Sequence, residues 1–254
     1  KNIIDKVFAS YLQGGAITAL DFSYRVIGIP VNIFGGVLVT IIFAKLIKEA
    51  KSESYNETII KLSTIVCLVS IPLSLFVLVK AELFALLLSE FGSNIDTDLL
   101  SNTMAAYSFC IFGNAMLLIM NTVFYSQGKT KNSLFVSIII VLLNVIFNAL
   151  LIQKWGAAGL ALSTTIASII TYVISIFVFN KDIRYVFNIF KKIVEVFIIC
   201  IPSMLCLGID WSVIVNANGL SQIIVELLLS SLLFFLVFLI SYYVATKIKL
   251  LRLI

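Results

Sequence analysis

Histidine is absent from the 254-residue sequence. That excludes histidine-based metal sites, Ser-His-Asp hydrolysis and histidine proton relays. Charge is scarce too: Asp, Glu, Lys and Arg make up 12% of the residues, about half the share of an ordinary soluble domain. A water-soluble core of this size would need far more polar surface. The four cysteines, Cys67, Cys110, Cys200 and Cys206, all lie inside apolar runs, where a thiol behaves as a small hydrophobe. They show no disulfide or zinc spacing. With these chemistries gone, we do not expect an enzyme.

What is present is apolar sequence. Hydrophobic residues make up 61% of the chain and the mean hydropathy is +1.13. Apolar runs of roughly 20 residues recur between short charged segments, the pattern that a ~30 Å hydrocarbon slab selects. Backbone groups must be satisfied within the chain in lipid, which leaves helices or a closed barrel. Segments such as Ser133 to Ile152 and Leu220 to Ala245 are continuously apolar and lack the in-out alternation of barrel strands. The expected fold class is therefore all-α, a polytopic membrane bundle.

Lys1 to Leu12 is too short to cross a bilayer and ends at the turn signal Gln13-Gly14-Gly15. We read it as the last part of a truncated span. Ile17 to Ala44 is the first complete span, with a kink or break expected at Gly28, Pro30 and the Gly35-Gly36 pair. A polar loop, Lys45 to Lys61, follows. Leu62 to Val79 is the next span, and the amphipathic stretch Lys80 to Gly92 is expected to lie at the interface. Ser93 to Asp98 carries acid and no base. Spans are then expected over Leu99 to Tyr125, Ser133 to Ile152, Ala157 to Phe179, Ile193 to Ile209 and Leu220 to Ala245. The connections are Gln127 to Asn132, Gln153 to Gly156 and Asn180 to Lys192. Glu195 and Glu226, near span ends, are expected to reach the interface.

The net charge of +5 and the pI near 9.0 follow from topology rather than from nucleic-acid binding. Lysines and arginines collect in alternate connections, and positive loops stay in the cytoplasm. The pattern gives seven complete spans after the partial one and a cytoplasmic tail with Lys247, Lys249 and Arg252.

Charges inside spans cost on the order of 2.5 to 3.5 kcal/mol at a helix centre, so each one present calls for a reason. Asp21 and Arg25, four apart, share a helix face. Two readings are open: the two pair with each other near the outer interface, or Arg25 faces a polar cavity and grips an anionic group with its rigid fork of donors. Asp5 lies in the partial span, with Lys6 pointing elsewhere on the helix. Asn144 and Asn148 are a second four-residue pair, and Thr164 lies on the following span. Carboxylate, amide and hydroxyl oxygens suit a hard cation such as sodium. The alternative for the two asparagines is interhelical hydrogen bonding.

Val7 to Lys45 reads VFASYLQGGAITALDFSYRVIGIPVNIFGGVLVTIIFAK. With YSQGKTK around Tyr125 to Lys131, N-x-x-x-N at Asn144 and Asn148, and WGAAGLALS ending at Ser163, it resembles the MurJ (MviN) family of lipid II flippases. The resemblance covers Asp5 to about Phe179 and, more weakly, the last two spans. It places the chain in the multidrug/oligosaccharidyl-lipid/polysaccharide exporter superfamily, two helical lobes around a central cavity. It implies that residues 1–179 are the second lobe, that residues 180–254 are an additional helix pair with a basic tail, and that the N-terminal lobe is missing from this sequence.

The implied activity is alternating-access movement of undecaprenyl-pyrophosphate-linked peptidoglycan precursor across the bacterial cytoplasmic membrane. The lipid tail would stay in the bilayer along a groove made by the last two spans. By resemblance Arg25 falls on the family's cavity arginine, with Asp21 and Tyr24 beside it. Asp5, Asn144, Asn148 and Thr164 fall on a sodium site to which Leu160 adds a backbone carbonyl. Tyr24 stands where many members have Asp, and Asn148 where some have a second acid. The rivals are an exporter of another lipid-linked oligosaccharide, a cation-coupled drug antiporter, and a non-transporting membrane scaffold.

Overall fold

The computed structural model describes residues 2–12, 14–33, 39–49, 52, 54–91, 96–180, 183–208 and 220–247. The Gly35-Gly36 pair, Gln13, Lys181, Asp210, Lys249 and Arg252 lie outside them, as do residues 93–95. The described residues form ten helices and no strand: α1 (Asn2–Ala9), α2 (Ala16–Ile33), α3 (Val39–Glu49), α4 (Tyr55–Val79), α5 (Ala81–Phe91), α6 (Thr97–Tyr107), α7 (Cys110–Ser126), α8 (Thr130–Phe179), α9 (Ile183–Leu207) and α10 (Leu220–Lys247). Among the described residues four segments are long and apolar enough to cross a membrane: Tyr55–Val79, Thr97–Ser126, Thr130–Phe179 and Leu220–Lys247.

The third of these is a hairpin. A straight helix would separate Asn144 and Thr164 by about 30 Å, yet Asn144 Nδ2 donates to Thr164 Oγ1 at 2.9 Å. The reversal is at Gly156, whose φ of 53° and ψ of −128° lie where a Cβ is strongly disfavoured. Each arm exceeds the ~20 residues needed to span. The arms differ in packing. In the first, only Ser133, Val136, Asn144 and Asn148 are buried; the second buries a face of small residues including Ala157, Gly159, Ala161, Ser163, Ala167 and Ser168. Small residues let helix backbones approach where lipid removes the hydrophobic drive. At Gly113 of α7, an added Cβ would run into Ser168 of that arm.

Several elements extend beyond their expected limits, because side-chain polarity marks where a helix leaves lipid, not where its hydrogen-bond ladder ends. Of the loop expected over Lys45 to Lys61, α3 takes the first part through Glu49 and α4 begins at Tyr55. The Asn180 to Lys192 connection is mostly the first turns of α9, and the Gln127 to Asn132 turn shrinks to the three residues before α8. The Leu99 to Tyr125 span is two helices, α6 and α7, separated at Ser108 and Phe109. Gln153 to Gly156 remains helical up to the reversal.

The α5 helix is not merely an interfacial strip. Ala81 and Ala85 are buried, and α5 packs against α6 and α10. Just before it, Lys80 meets Glu226 of α10 at 3.5 Å, their side chains only 9% and 13% exposed. Glu226 is therefore largely covered by the bundle and held by a cation from outside its own helix. Glu195 pairs with Lys192 on its own helix at 2.9 Å.

One large core cluster joins residues of α3, α4, α7, α8, α9 and α10, with Ile59, Ile71, Met116, Phe124, Val196 and Phe234 among its most buried members. A second packs α1, α2, α6, α7 and α8 around Ile27, Met104, Ile111 and Leu160. The polar groups described next lie beside the second.

Candidate functional site

Asp5 is 3% exposed. Short as it is, α1 packs against α8, and Asp5 projects onto the hairpin. Asn148 Nδ2 donates to Asp5 Oδ1 at 2.8 Å, and Thr164 Oγ1 donates to Oδ2 at 3.0 Å. Asn144 donates in turn to Thr164 and lies 3.5 Å from Asn148. The Leu160 carbonyl accepts from Ser163 Oγ at 2.7 Å and is 3.3 Å from Thr164 Oγ1. Asp5, Asn144, Asn148, Leu160 and Thr164, picked from the sequence, thus converge on one point. Ser163 completes the network with a short contact to Asn148 Oδ1. The sequence reading passed over it, although it sits beside Thr164 and ends the WGAAGLALS motif.

The interhelical hydrogen bonding expected of the asparagines is present, and it joins α1 to both arms of α8. No ion pair to Asp5 occurs among the described residues. A carboxylate buried without a basic partner is expensive, so the site calls for a proton or a cation. One carboxylate with neutral amide, hydroxyl and carbonyl oxygens matches a hard monovalent ion in charge and donor type. Among the described residues no group of three or more His, Cys, Asp or Glu gathers as a metal site. The two carboxamides turn their nitrogens toward neighbouring oxygens; a half-turn of each would present Oδ1 instead. The donor set fits sodium on that condition.

Asp21 and Arg25 do not pair. Lys6 takes Asp21 at 2.8 Å, bridging α1 and α2. Arg25 is exposed and forms no ion pair among the described residues. It shares its outward face of α2 with Thr18, Ile29 and Asn32, while Ala16, Ala19, Leu20, Ser23 and Ile27 face inward. Tyr24, half-buried, packs edge-on against Tyr107 with ring centroids 5.8 Å apart. It borders a small cleft shared with Asp5, Lys6, Asp21 and Tyr107. The residues expected to handle substrate and those expected to hold a cation are therefore neighbours through Tyr24, while Arg25 looks outward.

A family model described as lipid II flippase MurJ matches residues 1–230. A probable lipid II flippase MurJ of Buchnera aphidicola subsp. Acyrthosiphon pisum is 29% identical over 177 residues, which is 68% of this chain and 35% of that one. That of Vibrio cholerae is 28% identical over 171 residues, 65% of this chain and 33% of that one. A solved lipid II flippase MurJ in an inward closed conformation superposes with a TM-score of 0.78 at 20% identity, covering 98% of this chain and 51% of that one. The chain spans about a third of the length of these two curated relatives and half of that structure.

Proposed function

Since the chain belongs to the MurJ family of lipid II flippases, we propose that it is the second-lobe part of a transporter that moves an undecaprenyl-pyrophosphate-linked peptidoglycan precursor across the bacterial cytoplasmic membrane by alternating access. Residues 1–179 serve as the lobe and residues 180–254 as an added helix pair along which the lipid tail stays in the bilayer. The rest of the protein supplies the first lobe. No covalent chemistry is required, because the obstacle is the hydration of the polar head.

The observation that carries this reading is the exposed guanidinium of Arg25, which forms no ion pair among the described residues. Its nearest acid along the helix, Asp21, is held by Lys6, so Arg25 keeps its full charge on a face shared with Thr18 and Asn32. A guanidinium offers five donors in a planar fork that matches phosphate oxygens in pairs. On that face it would meet a pyrophosphate held between two lobes. The Asp5 network, next to it on the other side of Tyr24, supports a sodium ion as the coupling ion.

The test is complementation in cells depleted of the native flippase, with membrane levels measured for each variant of the full-length protein. Arg25→Ala should abolish growth, and Arg25→Lys, which keeps charge but loses the fork, should support it partially. Normal growth with fully inserted Arg25→Ala would reject the pyrophosphate role.

A further inference from the structure

A second polar space, open to the outside at the exposed Ser137, lies between α2, α7 and both arms of α8. This groove has a volume of about 280 Å³ and is lined by Tyr24, Asn114, Asn121, Ser137 and Thr171 among aliphatic side chains. None of its lining residues carries a charge. Thr171 is fully buried, and its hydroxyl has no hydrogen-bond partner. A groove of this size has room for several waters, and its amides and hydroxyls offer them partners.

Its placement gives the groove a direction. Ser137 precedes Asn144 by seven residues on the first arm, and Thr171 follows Thr164 by seven on the second. Seven residues are about two helical turns, so each pair shares a helix face. The hairpin apex is Gly156, so both offsets lead away from the apex, toward the end of the bundle where α7 gives way to α8. At that end Ser133 Oγ lies 2.9 Å from Asn121 Oδ1 and 3.0 Å from the Tyr125 hydroxyl. Tyr24 lines both the groove and the cleft beside Asp5. Neutral oxygens and amides thus run along the groove from the end carrying the Gln127–Lys129 turn to Tyr24, and in the cleft beyond it the one lysine, Lys6, is paired with Asp21.

We propose that this groove is a hydrated vestibule through which a small cation passes between that end of the bundle and Asp5, an inference that rests on reading the Asp5 network as a cation site. The lining substitutes for part of the ion's hydration shell, and Tyr24 stands where the groove meets the Asp5 cleft.

The experiment labels single cysteines in the full-length protein, in vesicles, with a charged membrane-impermeant thiol reagent. The background carries Cys206→Ser, since Cys67, Cys110 and Cys200 are buried. Lys131→Cys reports the side of addition, and Ile138→Cys, on a residue 50% exposed on the outside of α8, reports a lipid-facing thiol. From the side that labels Lys131→Cys, Ser137→Cys and Asn114→Cys should react on the order of tenfold faster than Ile138→Cys, because a thiol reacts as the thiolate, which needs water. Sodium should slow that labelling, and Asp5→Asn should remove the sodium effect while leaving the labelling. Melting of the same samples with and without sodium reports whether Asp5 binds the ion at all. Sodium-stabilised protein whose groove cysteines react no faster than Ile138→Cys overturns the vestibule and leaves the cation site standing. Fast groove labelling with no sodium effect on melting or labelling removes the cation site and the passage together.

Discussion

Asp5 decides how the site should respond to its ion. It is one acid among oxygen-bearing groups drawn from both arms of α8, and it forms no ion pair among the described residues. A ligand that binds only the folded state stabilises it by about 2.7 kcal/mol at a hundredfold excess over Kd. Sodium should therefore raise the melting temperature of the full-length protein, and Asp5→Ala should abolish that increment while potassium leaves both proteins alike. Equal sodium responses with and without Asp5 would reject the site. The convergence was legible because an acid, two asparagines four apart and a threonine are costly in apolar runs, and cost singles them out. Ser163 was not legible on that ground, since serine is cheap in a membrane helix and returns its hydroxyl to its own backbone, as Ser137 does to the Ser133 carbonyl. The choice of Lys6 over Arg25 as partner of Asp21 was also hidden. It depends on how α1 lies against α2, which helix spacing within α2 does not contain.

At the scale of elements, hydropathy located the apolar segments over α4, α6 with α7, α8 and α10, whereas the expected spans Ile17 to Ala44 and Ile193 to Ile209 are not among the described segments long and apolar enough to cross, and helix ends were misplaced. The first turns of α4 and α9 are polar in sequence and helical in structure; what ends a helix is the loss of its ladder or a residue that must turn. Gly156 is such a residue, and its position brings Asn144 and Asn148 opposite Ser163 and Thr164. An alanine there would be held at a φ of 53° and a ψ of −128°, at a cost of about 1–3 kcal/mol. Gly156→Ala should lower the melting temperature of the full-length protein, although nothing lies within 4 Å of the added Cβ. Gly14 has equally open space and no positive φ, so Gly14→Ala should leave the melting temperature unchanged. Equal melting of the two variants would show that the hairpin tolerates another backbone geometry at its apex. The partner of Glu226 was not legible either, since Lys80 lies 146 positions away along the chain.

For the whole molecule, the alternation of charge along the sequence becomes a polarity of the bundle. The Tyr55 hydroxyl lies 2.7 Å from Ser126 Oγ, and the ring of Phe179 sits between those of Tyr55 and Tyr185, with centroids 6.3 and 5.8 Å away. The start of α4, the end of α7, the end of α8 and the start of α9 therefore meet at one end. That end carries Lys129 and Lys131 at the start of α8, Lys61 in the second turn of α4, and Lys191 and Lys192 in the third turn of α9. At the other lie the Gly156 apex with the single exposed Lys154 beside it, Lys80 just before α5, paired with Glu226 of α10, and Asp96 capping α6 through the backbone amides of Asp98 and Leu99. Lysine-rich ends of membrane bundles stay in the cytoplasm because moving their charge across the bilayer is resisted during insertion. Cysteines at Lys48 and Lys131 in the full-length protein should accordingly react with an impermeant reagent only in inside-out vesicles, and a cysteine at Asp96 only in intact cells. All three positions are exposed, so a missing signal cannot be put down to burial. Labelling of Lys131→Cys from outside intact cells would invert the bundle, and with it the side from which the groove between α7 and α8 delivers a cation to Asp5.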